Sequence, residues 1–179
     1  SYVDMAYAAK HGITVQNCPG YNSQSVAEMA VGLIIDVLRH ITYYNNQVSM
    51  GGWQHAPSNG HLLSGKSIGL VGYGNIGKAI DRLLSGWAVS VSHVDSRSTE
   101  QDINHLIASV DVIIICCPLT DKTAGLVSAE KIGLMKKESV LVNVARGPVV
   151  DEGALYDALV NNRIFGAGLD VFCNEPQPS

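Results

Sequence analysis

The residues Gly72-Tyr73-Gly74-Asn75-Ile76-Gly77 carry the spacing G-x-G-x-x-G. They follow the apolar run Ile68–Val71 and open a helical pattern over Ile76–Leu84. At a strand-to-helix turn the first glycine permits the bend. The second lets the backbone approach a diphosphate, and the third lets helix and strand pack closely. The helix N-terminus then offers free N–H groups and a positive dipole end to phosphate oxygens. Eighteen residues after Gly77, at the end of the next apolar run, stands Asp95. A carboxylate there suits the adenosine ribose hydroxyls of a dinucleotide and repels a 2′-phosphate. This favours NAD over NADP, and Arg97 close by works against the distinction. An adenosyl-cofactor methyltransferase would use a similar glycine loop and ribose acid, but it leaves the rest of the chain unexplained.

A second constellation is Val142-Asn143-Val144-Ala145-Arg146-Gly147-Pro148-Val149-Val150-Asp151-Glu152-Gly153-Ala154-Leu155. It closes a strand, sets Arg146 at that strand's carboxyl end, and starts a helix. Ligands of open parallel sheets bind outside those ends. An arginine there can grip a carboxylate through two parallel hydrogen bonds.

The elements that must position these groups follow from periodicity. Apolar runs at Ile68–Val71, Val89–Val94, Val112–Cys116, Val140–Val144 and Gly166–Val171 read as buried strands. Helical patterns lie between them at Ile76–Leu84, Asp102–Ile107, Ser128–Met135 and Glu152–Leu159. This alternation predicts an α/β fold, a Rossmann-like doubly wound parallel sheet of five or six strands. Upstream, the sequence predicts a helix over Asp4–Lys10, a short strand over Ile13–Gln16 and a turn at Pro19-Gly20. Ser25 to Glu28 fits a capping box for one long amphipathic helix running to Ile41. Residues 50–65 read as a loop.

Composition narrows the classes. The chain has 179 residues, 46% hydrophobic and 16% charged, enough for one core and too few for two large domains. Glycine is abundant at 18 residues, as tight turns and close backbone approaches to a ligand require. A net charge of −4 argues against nucleic acid or an anionic membrane surface as partner. The most apolar stretch, Val26–Leu38, is broken by Glu28, Gly32 and Asp36, so no membrane span is expected. The start at Ser1 has neither an initiator Met nor the basic and apolar regions of a signal peptide. The four cysteines lack Cys-x-x-Cys spacing, and Cys116 and Cys117 are adjacent, which fits reduced thiols and a cytoplasmic location.

Five segments together resemble the D-2-hydroxyacid dehydrogenase family over nearly the whole chain. They are Asn22 to Glu28; Gly72 to Gly77 with Asp95; Cys117 to Thr120; Asn143 to Leu155; and Gly168 to Phe172 followed by Glu175-Pro176. Pro19-Gly20-Tyr21-Asn22-Ser23 and Leu38-Arg39-His40 are most similar to the glycerate dehydrogenase (hydroxypyruvate reductase) branch. The resemblance implies a Rossmann domain over residues 22–179 and a remnant of a substrate domain over residues 1–21. It implies that Gly72, Gly74 and Gly77, with Asn75 and Ile76, meet the diphosphate of NAD, and that Asp95 meets the ribose. Cys117 and Pro118 would line the adenine, Val144, Ala145 and Arg146 the nicotinamide, and Asp170 its carboxamide. Arg146 would bind the carboxylate of a small 2-oxo or 2-hydroxy acid of the hydroxypyruvate or glyoxylate type. Glu175 would orient a catalytic histidine. A homodimer is also implied.

The family's histidine lies in a Pro-His segment after that acid, whereas the six histidines here all precede Glu175. Each reads as a surface or packing histidine. Tyr2-Val3-Asp4 matches only the tail of the family's substrate loop. Between Asp95 and Asp111 the chain is short for the family, so an edge strand of the sheet is expected to be lost. The 179 residues alone are therefore expected to bind NAD without reaching the roughly 1–1,000 turnovers per second of ordinary enzymes. A non-catalytic NAD-binding interaction module, of the co-repressor type, is the alternative.

Overall fold

The computed structural model describes residues 3–53 and 59–175. Its strands are β1 (Ser67–Val71), β2 (Ser90–Val94), β3 (Val112–Ile115), β4 (Val140–Asn143) and β5 (Gly166–Leu169). Its helices are α1 (Met5–Lys10), α2 (Ser23–Arg39), α3 (Ile41–Ser49), α4 (Asn75–Leu84), α5 (Glu100–Ser109), α6 (Ala129–Leu134) and α7 (Glu152–Val160). All strand pairs are parallel, in the order β2-β1-β3-β4-β5. The chain reverses direction across the sheet between β1 and β3, which opens a crevice at their carboxyl ends.

The strands are covered on both faces because their side chains alternate. Val112 and Ile114 of β3 join Ile34, Leu38, Ile80 and Leu84 from α2 and α4 in one core. Ile113 and Ile115 join Leu106, Ile107, Ile132 and Leu155 from α5, α6 and α7 in the other. Four consecutive aliphatic residues, each with no exposed surface, are what a central strand of a doubly wound sheet demands. At the edge, β2 is mostly exposed, and no strand among the described residues pairs beyond it. The short connection to α5 leaves no room for one.

Three upstream expectations are corrected. Ile13–Gln16 is not a strand. Its apolar residues Ile13 and Val15 are exposed, and no described strand lies beside it to complete a ladder. The capping box at Ser25 and Glu28 does not form. The helix begins at Ser23, Ser25 Oγ donates back to the Asn22 carbonyl, and Glu28 accepts from the Gln24 side chain. A capping box does form at Thr99 and Asp102. The long helix also ends at Arg39. His40 adopts a left-handed conformation, and a separate helix, α3, follows. Asp36 fixes that corner by accepting from both Thr42 N and Thr42 Oγ1 at 2.7 Å.

The amino ends of the strands are tied by Asp111. Its Oδ2 accepts from Ser67 N and Ser67 Oγ at 2.8 Å, and its Oδ1 accepts from Lys136 Nζ at 2.8 Å. Burial alone would raise this carboxyl. Lys136 and Ser67 outweigh it and hold the group at about 2. A carboxyl depressed in the folded state contributes stability above its unfolded value, and loses it as pH falls through the folded value. Asp111→Asn is therefore expected to lower stability by about 1–2 kcal/mol at neutral pH. The gap to the parent chain should close toward pH 2. Urea melts at stepped pH check this; a pH-independent gap would assign the loss to packing.

Candidate functional site

The turn from β1 into α4 has little space to spare. Gly72 has φ of 108°, a left-handed backbone that disfavours a side chain, and a Cβ there would stand 2.7 Å from Cys117 N. A Cβ on Gly77 would stand 2.5 Å from the Gly72 carbonyl oxygen. That oxygen also accepts from Cys116 Sγ at 3.0 Å. Gly74 differs: a Cβ on it would meet no atom within 4 Å. It is the N-cap of α4 and makes no side-chain capping bond, so the first turn of α4 presents open backbone to the crevice.

That crevice has a volume of about 480 Å³. The structure brings Gly74, Asn75 and Ile76 together there with Cys117, Pro118, Val144, Ala145 and Arg146. Cys117 is half-buried, and burial pushes its thiol up. The carboxyl end of β4 is shaped by Asn143, whose Oδ1 accepts from Ala145 N at 3.0 Å and whose Nδ2 donates to the Arg146 carbonyl at 3.1 Å. Arg146 is exposed and spends one N–H of its guanidinium on the Ala145 carbonyl.

Asp95 lies at the end of β2, on the same edge of the sheet. Arg97 covers it: Nη2 donates to Oδ2 at 2.6 Å, and Arg97 N donates to Oδ1 at 2.9 Å. These bonds to Arg97 lower the carboxyl to about 2. The Arg97 side chain is 87% exposed, so solvent competes strongly for the pair. Beside it, the Tyr73 ring stacks on His93 at 3.7 Å, and Tyr73 donates its hydroxyl to Asp81.

Asp170 follows β5, and its N–H donates to the Asn143 carbonyl at 3.0 Å, so its backbone lies beside the end of β4. Glu175 Oε1 accepts from Phe172 N at 2.9 Å and closes the turn after β5. That turn packs on Gly147, where any Cβ would overlap the Phe172 and Cys173 backbone. Arg146 and the 172–175 turn are therefore neighbours in space, joined through Gly147.

Sequence reasoning missed part of the crevice wall. Gly20, Asn22 and Ser23 also line it. The Asn22–Glu28 string and the Pro19-Gly20 turn were visible, but nothing local says that they meet Asn75. Among the described residues, His11 stacks on Tyr7, His61 pairs with Glu138 and His93 stacks on Tyr73. No described histidine lines the crevice. His55 lies outside the described residues. No group of three or more potential metal-ligating side chains occurs among the described residues.

The sequence profile described as "D-isomer specific 2-hydroxyacid dehydrogenase, NAD binding domain" matches residues 31–179. The chain belongs to the D-isomer specific 2-hydroxyacid dehydrogenase family. It is 38% identical to the glyoxylate/hydroxypyruvate reductase HPR3 of Arabidopsis thaliana, over 98% of this chain and 57% of that protein. It is 35% identical to a hydroxypyruvate reductase of Thermotoga maritima, over 97% of this chain and 59% of that protein. The NAD complex of a Staphylococcus aureus NAD-dependent formate dehydrogenase superimposes with a TM-score of 0.86 at 35% identity, covering 99% of this chain and 57% of that one. The chain thus spans just under three-fifths of the length of these relatives. It is an NAD-binding domain of this family, and the methyltransferase alternative falls away. These relatives carry the names of enzymes, and none of them supports the interaction-module alternative.

The glycine geometry separates stability from access. Gly77→Ala must displace the Gly72 carbonyl and is expected to cost about 2–4 kcal/mol. Gly74→Ala has open space and is expected to leave the melting temperature within about 2 °C of the parent. Thermal denaturation of the two variants checks this; equal losses would contradict the packing described.

Proposed function

We propose that this chain is the dinucleotide half of an NAD(H)-linked reductase of small 2-oxo acids, of the hydroxypyruvate or glyoxylate type. The observation that carries the reading is the uncapped start of α4, with open space at Gly74, facing Arg146 across one crevice. Bound NADH would supply the hydride. The backbone at Gly72, Gly74, Asn75, Ile76 and Gly77 holds the diphosphate, and Cys117 and Pro118 flank the adenine. Val144 and Ala145 form the wall beside the nicotinamide, and Asp170 faces its carboxamide. Arg146 has N–H groups beyond the one given to Ala145. They grip the substrate carboxylate and draw electron density from the adjacent carbonyl. Glu175 positions the histidine that donates the proton, a residue with no counterpart after Glu175 in this sequence. Residues 1–21 are read as part of the substrate domain. Whole-protein turnover rests on these assignments together.

Asp95 sets the preference for NAD. Its two oxygens suit the ribose hydroxyls once the exposed Arg97 side chain swings away. A 2′-phosphate beside the carboxylate is repelled, and the released Arg97 offsets part of that repulsion. Tolerance of the phosphate has precedent in the family's fold: an acyclic imino acid reductase solved with NADPH superimposes with a TM-score of 0.84 at 32% identity. Calorimetric titration is expected to give NADH binding on the order of tenfold tighter than NADPH. Asp95→Ala should weaken NADH and narrow the gap. Equal binding by the parent chain would remove Asp95 from this role.

A second copy of this chain is the proposed partner, and α3 is the proposed contact. No residue of α3 is buried, and Met50 and Trp53 just after it are 75% and 91% exposed. Ile35, Ile41 and Val48 line a groove of about 650 Å³ beside it. No Asp, Glu, Lys or Arg occurs between Arg39 and Lys66. A two-fold interface sets each patch near its own copy, so a patch whose groove has Arg39 as its one charged lining residue pairs with itself at little like-charge cost. Light scattering is expected to show a dimer that Val48→Asp converts to a monomer with an unchanged circular dichroism spectrum. A monomeric parent chain would contradict it. No helix among the described residues is long and apolar enough to cross a membrane. The four cysteines form no disulfide, which supports a reducing, cytoplasmic setting.

A further inference from the structure

Between Asn143 and Val150 every residue is buried except Arg146 and Pro148. The direction in which the Arg146 side chain leaves the fold is therefore set by a backbone that is held on both sides. Asn143 Nδ2 donates to the Arg146 carbonyl at 3.1 Å, and Val149 N donates to the same oxygen at 3.2 Å. One residue earlier, Ala145 N donates to Asn143 Oδ1 at 3.0 Å. One residue later, Gly147 lies against the Phe172 and Cys173 backbone with no room for a Cβ. Arg146 itself is extended, with φ of −150° and ψ of 143°.

Asn143 is the polar member of an otherwise aliphatic strand. It ends β4 after Val140-Leu141-Val142 and is only 1% exposed. A buried amide is costly unless its donor and acceptor are both used, and here both are used inside one turn. Its main-chain carbonyl also accepts from Asp170 N at 3.0 Å, which ties the same residue to the end of β5. The side-chain requirement is narrow. Aspartate could accept from Ala145 N but, when ionised, could not donate to the Arg146 carbonyl. Leucine could do neither. The guanidinium that this turn presents must meet a carboxylate in one plane, and such paired bonds tolerate little angular error.

We propose that Asn143 is a positioning residue for Arg146: its side-chain amide bridges Ala145 and Arg146 and so holds the guanidinium in the orientation that binds the substrate carboxylate. Asn143 does not line the crevice, so it touches neither substrate nor cofactor and acts through the Arg146 backbone. Its loss therefore falls on the carboxylate and spares the adenosine end of the site. The assignment rests on the reading of Arg146 given above.

The test compares parent, Asn143→Asp and Asn143→Ala chains by calorimetry, with ADP-ribose and with oxamate added to the NADH complex, at about pH 8 and about pH 5.5. Oxamate sets a carboxylate beside a carbonyl, as a 2-oxo acid does, and is not reduced. ADP-ribose lacks nicotinamide and reports the rest of the cofactor site. At the higher pH both variants are expected to bind oxamate about tenfold more weakly and ADP-ribose within about twofold of the parent. Burial raises the carboxyl of the Asn143→Asp variant, so acidification protonates it and restores a donor to the Arg146 carbonyl. Asn143→Asp should then recover most of its oxamate affinity relative to the parent, and Asn143→Ala should not. Arg146 and Asp170 are present in all three chains, so the parent supplies the baseline at each pH. Matching thermal melts show that the variants fold. Parent-like oxamate binding in Asn143→Ala overturns the proposal, as does an equal loss of ADP-ribose, or a loss in Asn143→Asp that acid leaves unchanged. Nitrogen-15 relaxation of the ligand-free chains keeps the two readings apart. Unchanged order at Ala145 to Gly147 in Asn143→Ala overturns the proposal. Reduced order there, with a parent chain that takes no oxamate, removes only the reading of Arg146 as the carboxylate grip.

Discussion

The contact on which the site depends is between Gly77 and the carbonyl of Gly72. It lets the first turn of α4 press directly on the end of β1, with Cys116 Sγ donating to the same carbonyl from β3's side. Any side chain at Gly77 would push the helix outward. The amides of the α4 start would then leave the crevice edge. The doubly wound sheet supplies the rest of the geometry. The order β2-β1-β3-β4-β5 sets Asp95 on one side of the glycine loop and Arg146 on the other. A dinucleotide can lie across that line of strand ends, and a carboxylate can reach Arg146 at its far end.

Two electrostatic arrangements at opposite edges of the sheet serve different ends. At the amino edge, Asp111 is satisfied by Ser67 and Lys136 and joins β1, β3 and the approach to β4. Its bonds are internal and complete, so it contributes to stability. At the carboxyl edge, Asp95 is held by Arg97 alone, on a side chain that is mostly in water. That pair is easily opened, which leaves the carboxylate accessible from solvent. The same depression of both carboxyls to about 2 therefore has different meanings, and partner burial is what separates them.

Much of this was legible in the sequence, for identifiable reasons. Val112–Ile115 and Val140–Val142 could be read as central strands because only a sheet covered on both faces needs such uninterrupted aliphatic runs. The glycine loop was legible because backbone contacts at Gly72 and Gly77 leave no alternative residue. Ile13–Gln16 misled because alternation marks a strand only when a partner lies alongside. The break at His40 was hidden, since no glycine or proline marks it and its compensation comes from Asp36 reaching forward to Thr42. The Asn22–Ser23 wall was hidden for a similar reason. Its place in the crevice depends on how α2 crosses the glycines of β5, a tertiary contact between residues far apart in the chain.

The central claim is that a dinucleotide lies along the carboxyl ends of the strands, across the start of α4. The most direct measurement is a two-dimensional amide NMR titration of the isotopically labelled chain with NADH. Saturable shifts are expected at Gly74, Asn75, Ile76, Asp95 and Val144 to Arg146, with Asp111, Lys136 and Ser139 at the opposite edge unmoved. Shifts that concentrate at that opposite edge, or that never saturate at the glycine loop, would contradict the account.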